Sequence, residues 1–178
     1  MRLIIVSGRS GSGKSLVLRT LEDHGFYAID NLPLSLLASL LQNTEKAEQK
    51  IAVAIDARND PALLAVFEQD IHALKKQYAI EILFLDAKES TLLKRFSETR
   101  RRHPLTGPNL SLREAIAKES EWLEPITNSA DLTLDTSNFT PFELRQIIQQ
   151  RICGHDSGEM EVLFESFGYK KGVPVDAD

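Results

Sequence analysis

Gly8-Arg9-Ser10-Gly11-Ser12-Gly13-Lys14-Ser15 follows the apolar run Leu3-Ile4-Ile5-Val6 and precedes the helical spacing of Leu16, Leu18 and Leu21. The stretch fits the pattern G-x-x-x-x-G-K-[ST] in the context that pattern requires, a buried strand before and a helix after. Its glycines allow backbone conformations closed to other residues, so successive N–H groups can turn toward phosphate oxygens. The helix that follows aims its positive end at the same point. Lys14 is placed to reach the β- and γ-phosphates, and the Ser15 hydroxyl to ligate Mg²⁺. The plain alternative is a glycine turn with no ligand. The match in context favours a nucleotide site for ATP or GTP with Mg²⁺.

Outward from this loop, short apolar runs alternate with helical patterns. Phe26–Ile29, Ile51–Ile55, Ile80–Leu85 and Ala130–Leu134 read as strands. Pro33 opens a helix to about Leu41. Asp60-Pro61 caps one that runs to about Tyr78. A helix from about Ser90 is expected to end at Pro104. Ser111–Glu114 and Thr140–Glu143 are capping boxes, for helices that stop near Pro125 and near Ile152. This alternation predicts an α/β fold in which a mostly parallel sheet of about five strands is covered on both faces. Residues 1–153 form the nucleotide-binding domain in this reading, 154–159 a polar linker, and 160–178 the start of a further domain. Val162-Leu163-Phe164 is an expected strand there, and its position near the end of the chain suggests a sequence cut within a longer protein.

A P-loop needs an acidic partner for the metal or its water, usually where an apolar strand ends. Asp56 is the leading candidate. Asp86 and Asp135 are rivals because they also end strands, on the side where ligands bind in open parallel sheets. Arg100-Arg101-Arg102-His103 is the strongest basic run. It reads equally as solvated charge at a helix end or as a lid whose arginines close over phosphates. An RNA-backbone contact is a weaker third reading. Glu119, Glu121 and Glu124 read as a solvated helix face, and Trp122 as core or interface. His24, His72 and His155 lack metal-ligand spacing.

The 178 residues carry 21 Lys and Arg against 26 Asp and Glu, a net charge of −5. That sign argues against whole-surface attraction to nucleic acid and leaves only a local patch. The single cysteine, Cys153, excludes an intrachain disulfide and a cysteine-based zinc site, and fits a cytoplasmic location. No apolar run is long enough for a membrane span.

Several segments together resemble the RapZ/YvcJ family of bacterial P-loop proteins. They are Val6–Ser15, Phe26-Tyr27-Ala28-Ile29-Asp30-Asn31-Leu32-Pro33, Thr99–Leu105 and Phe164-Glu165-Ser166-Phe167-Gly168-Tyr169-Lys170. The Asp-Asn-Leu-Pro and Arg-Arg-x-His-Pro-Leu segments are the distinctive ones. The resemblance implies a three-layer P-loop fold with kinase-like, adenylate-kinase-type topology, ATP or GTP binding, and at most slow hydrolysis. It places a second nucleotide segment on Asp56-Ala57-Arg58-Asn59. It also implies an adapter that binds a small regulatory RNA and presents it to an endoribonuclease, in control of amino-sugar synthesis. RNA and sugar-phosphate sensing would belong to a C-terminal domain, and the full-length protein would form homo-oligomers. The rival reading from the residues alone is a small-molecule kinase of the P-loop class.

Overall fold

A computed structural model describes residues 1–43, 49–107 and 110–154. Five parallel strands form one sheet in the order β2-β3-β1-β4-β5. They are β1 (Arg2–Gly8), β2 (Tyr27–Ile29), β3 (Lys50–Ala54), β4 (Ala79–Asp86) and β5 (Leu132–Asp135). The helices are α1 (Lys14–Asp23), α2 (Leu37–Gln42), α3 (Pro61–Ala65), α4 (Phe67–Lys75), α5 (Glu89–Thr99), α6 (Leu112–Trp122), α7 (Glu124–Asn128) and α8 (Pro141–Ile148). The expected α/β class with a parallel sheet therefore holds.

The period-2 alternation of β1 divides the core into two layers. Leu3 and Ile5 pack with Leu37, Leu64, Phe67, Ile71 and Ile126, from α2, α3, α4 and α7. Ile4 and Val6 face the other way, onto Val17, Leu18, Leu21, Leu144 and Ile148 from α1 and α8. With helices on both faces, β1 is wholly buried between Leu3 and Val6, which is why those four positions are aliphatic without alternation. A third, smaller cluster joins Ala87, Leu92, Phe96 and Ile116, and fixes α5 and α6 beside the carboxyl ends of the strands.

Several element ends differ from the sequence expectation, each for a local reason. Pro33 leads into a 3₁₀ turn, Leu34–Leu36, before α2 begins. The helix expected from Pro61 to Tyr78 breaks at Val66, which leaves the helical region with ψ near 4° and separates α3 from α4. Pro125 does not end α6. The break falls at Leu123, and the proline, which has no N–H to donate, sits in the first turn of α7. Arg100 ends α5 by adopting a left-handed conformation (φ 52°), before Pro104 is reached. Both capping boxes form as expected. A π-helical turn, Gln149–Cys153, follows α8. The expected strand Val162–Phe164 and most of the linker lie outside the described residues.

Candidate functional site

The register of β1 on β4, Val6↔Leu83 to Gly8↔Leu85, brings the end of β1 level with the end of β4. The chain then turns through Arg9–Gly13 into α1. Gly8, Gly11 and Gly13 have φ values of 142°, 87° and 111°, conformations that side chains rarely adopt. At Gly13, the residue before α1, no side chain caps the first turn of the helix, so its leading N–H groups are left to an external acceptor. Lys14 folds back, and its Nζ donates to Gly8 O at 2.6 Å and to Arg9 O at 3.1 Å. Burial pushes its ammonium below the usual lysine range, countered in part by the charges of Glu119 and Asp56. Its hydrogen bonds go to neutral carbonyls, and among the described residues the cation at the mouth of the loop meets no carboxylate in direct contact.

A cleft of about 440 Å³ opens over this loop. Gly11, Gly13, Lys14 and Ser15 form its floor, Asp30, Asp56 and Arg58 one group of wall residues, and Arg95, Phe96, Arg101 and Arg102 another. Asp56 is buried, and both its oxygens are taken by Arg58, whose Nε and Nη2 donate at 2.7–3.1 Å and whose backbone N–H adds a third partner at 3.0 Å. Burial pushes the Asp56 carboxyl up, but the hydrogen bonds from Arg58 outweigh this and hold it below the ordinary carboxylate range. Of the segment Asp56–Asn59, only Asp56 and Arg58 line the cleft. Ala57 is buried in the core, and Asn59 braces the backbone, accepting from Leu34 N–H at 2.6 Å and donating to Asp56 O at 3.2 Å.

The rival carboxylates are engaged elsewhere. Asp86 accepts from Arg9 Nη1 at 3.3 Å and from Ala87 N–H at 2.7 Å. Asp135 accepts from Ser137 N–H at 2.9 Å. Arg9 therefore turns to the carboxyl end of β4 and does not line the cleft. Arg101 and Arg102 line the cleft, are exposed, and make no ion pair among the described residues, whereas Arg100 is not on the wall. Asp30 is likewise exposed on the wall and makes no hydrogen bond among the described residues.

Two features escaped sequence reasoning. Glu119 is not on a solvated face; it is completely buried and accepts from Ser10 N–H at 2.8 Å, Ser10 Oγ–H at 2.7 Å and His103 Nε2 at 3.0 Å. His103 Nδ1 accepts from Leu105 N–H at 3.1 Å, which puts the ring proton on Nε2, facing Glu119. Burial pushes the Glu119 carboxyl up, and His103, Lys14 and both Ser10 donors outweigh it and hold it below the usual range. A signal was present: Ala115, Ile116, Glu119 and Leu123 share the helical spacing of one buried stripe, so a glutamate interrupts an apolar face. The second feature is Arg95, which ties α5 to the loop by donating to Gly11 O at 2.9 Å and to Thr136 O at 2.6 Å. Thr136 Oγ donates in the same region, 2.9 Å from Ser12 O. Nothing in the spacing of Arg95 or Thr136 pointed to this, because they meet only across the sheet ends.

The groups present fit a nucleoside polyphosphate. Positive-φ glycines, an uncapped helix start, a desolvated lysine and two arginines without an ion pair among the described residues converge on one cleft. Among the described residues, buried Ser12 Oγ has no hydrogen-bond partner, and the same holds for Ser7 Oγ and Arg9 Nε. No cluster of three or more metal-ligating side chains exists among the described residues. A Mg²⁺ ion here would depend on Ser15 and nucleotide oxygens, with Asp56 acting through water while Arg58 holds it.

Sheet order and phosphate loop together define a P-loop domain of the kinase-like class. Similar folds include shikimate kinase from Acinetobacter baumannii (TM-score 0.55, 17% identity, covering 89% of this chain and 96% of that one). Shikimate kinase from Bacteroides thetaiotaomicron is similar too (TM-score 0.55, 14% identity, 83% and 94% covered). At such identity the likeness concerns the fold alone. The chain belongs to the RapZ-like N-terminal domain family, whose model matches residues 1–156. It is 50% identical over all 178 residues to the RNase adapter protein RapZ of Escherichia fergusonii, and equally to that of Escherichia coli strain K12. The chain spans 63% of the length of these curated relatives. No helix among the described residues is long and apolar enough to cross a membrane.

Proposed function

We propose that this chain is a regulatory nucleotide-binding domain that takes ATP or GTP with Mg²⁺ and hydrolyses it slowly at most. The observation that carries the reading is Lys14, desolvated and without a carboxylate partner, set among positive-φ glycines at the uncapped start of α1. Ser15 and, through water, Asp56 serve the metal. Arg101 and Arg102 approach the terminal phosphate. In the whole protein, the nucleotide state is passed to a further domain that binds a small regulatory RNA, directs its cleavage by an endoribonuclease and senses a sugar phosphate. The 50% identity to RNase adapter proteins supports this, and a cytoplasmic location goes with it.

This chain itself holds structured RNA weakly near 150 mM salt. Affinity for a phosphate backbone needs clustered free cations. Of the local basic group, Lys94 pairs with Glu98 and Arg95 is tied to the loop, which leaves the 100–102 run. Calorimetric titration with ATP, GTP and a non-hydrolysable analogue, with and without Mg²⁺, tests the nucleotide reading. Saturable binding lowered about 10- to 100-fold by Lys14→Ala supports it, since a hydrogen bond to a charged group is worth about 1.5–3 kcal/mol. Absence of binding to the unaltered chain overturns it.

A second reading, a small-molecule kinase, is favoured by Asp30. This exposed carboxylate on the cleft wall would accept the proton of an acceptor hydroxyl. Transfer of the γ-phosphoryl group to a hydroxylated acceptor, lost in Asp30→Asn, would establish it.

A further inference from the structure

We propose that Ser10, Glu119 and His103 form a buried latch that couples the phosphate loop to the arginine-bearing segment 100–105. The inference rests on the nucleotide-binding reading for its purpose, but not for its existence. Three segments meet at one carboxylate. Ser10 lies inside the loop. His103 follows directly on Arg101 and Arg102. Glu119 comes from α6, which packs against α5 and the end of β4 through Ile116, Leu92, Phe96 and Ala87. Both side chains of the Glu119–His103 contact are fully buried.

The arrangement is hard to change in part. A carboxylate out of water must keep its donors, so losing either the Ser10 hydroxyl or His103 leaves a buried carboxylate short of one of them. The His103 ring is itself held on two further sides, by the Leu105 N–H on Nδ1 and by the Phe96 ring at 5.2 Å. Leu105 and Pro104 are therefore fixed to the ring, and Arg101 and Arg102 enter the cleft from an anchored base. A shift of the Ser10 backbone when phosphate fills the loop must be followed at Glu119, and through His103 at the arginines. Glu119 and His103 act as positioning residues here; neither lines the cleft, whereas Ser10 does.

Limited trypsin cleavage of the 178-residue chain tests the coupling. Cleavage after Arg101 and Arg102 reads the arginine segment, and cleavage after Arg19 on α1 is the internal control. Glu119→Gln can retain all three contacts: its carbonyl takes the Ser10 N–H and His103 donors, and its amide donates to Ser10 Oγ. Glu119→Met cannot. In the ligand-free chain, Glu119→Met is expected to speed cleavage after Arg101 and Arg102 by about tenfold or more, and Ser10→Ala by about threefold or more. Glu119→Gln should do so least, and Arg19 cleavage should not change in any of them. Equal acceleration at Arg19 would reduce the contacts to ordinary fold stability and overturn the latch. So would a Ser10→Ala chain cut at the unaltered rate, a result that decides the matter even if Glu119→Met does not fold. With the non-hydrolysable ATP analogue and Mg²⁺, the unaltered chain is expected to be protected after Arg101 and Arg102. Ser10→Ala at matched saturation should be protected less. A chain that binds no nucleotide refutes the proposed function, while the ligand-free cleavage still decides the latch.

Discussion

Replacing Gly8 with alanine tests how the loop is built. A Cβ on Gly8 would lie 2.2 Å from Leu85 O, 2.8 Å from Leu85 N and 2.9 Å from Leu85 C. These are backbone atoms of a fully buried strand residue, in register with Gly8, so no side chain can swing aside. An ordinary carbon–oxygen approach is about 3.3 Å, so the strands must part by about 1 Å. Parting strains the bond from Arg9 N–H to Leu85 O, now 3.1 Å, worth about 1 kcal/mol. Overpacking of a dry interface adds about 1–3 kcal/mol. The φ of 142° adds about 1–3 kcal/mol for any residue with a side chain. The expected loss is therefore about 3–7 kcal/mol, a large share of the roughly 5–15 kcal/mol of a typical domain. Urea unfolding measures it. Gly25→Ala is the control, because Gly25 has φ 80° but nothing within 4 Å of the added carbon. It should lose only about 1–2 kcal/mol. If Gly8→Ala costs no more than Gly25→Ala, the close approach of β1 to β4 does not constrain the loop and the reasoning fails.

Other outcomes follow from the same geometry. Asp56→Asn should reduce the Mg²⁺ dependence of nucleotide binding more than metal-free binding, measured by titration with and without the ion; finding this in Asp86→Asn instead would move the metal role. Neutralising Arg101 and Arg102 together should weaken triphosphate binding more than diphosphate binding, and an equal effect would return the run to a solvated helix end. Asp56 and Glu119 are both held below their ordinary values, so their contribution to stability is present above an unfolded carboxyl pKa of about 4 and is lost as pH falls through the folded values. Urea midpoints should drop on acidification below about pH 4, and less steeply in Glu119→Gln.

The glycine turn between β1 and α1, the five strands and both capping boxes were legible in the chain, because each depends on local chemistry: apolar runs, glycine at special torsions, and hydroxyl–carboxylate caps. The resemblance carried by the Asp-Asn-Leu-Pro and Arg-Arg-x-His-Pro-Leu segments likewise led to the right family. Helix breaks at Val66, Arg100 and Leu123 were not legible, since neither proline nor glycine stands at those positions. The partners of several charged groups were not legible in the spacing. Asp56 reads in sequence as a strand-end carboxylate facing a metal, yet Arg58, two residues on, takes both its oxygens. Glu119 stands 109 residues from Ser10 and 16 from His103, and joins them only because α6 packs on α5 beside the loop. Sequence spacing carries the period of a helix and the alternation of a strand. It does not say which buried charge meets which donor across the ends of a sheet, because that pairing is set by the crossing of elements far apart in the chain.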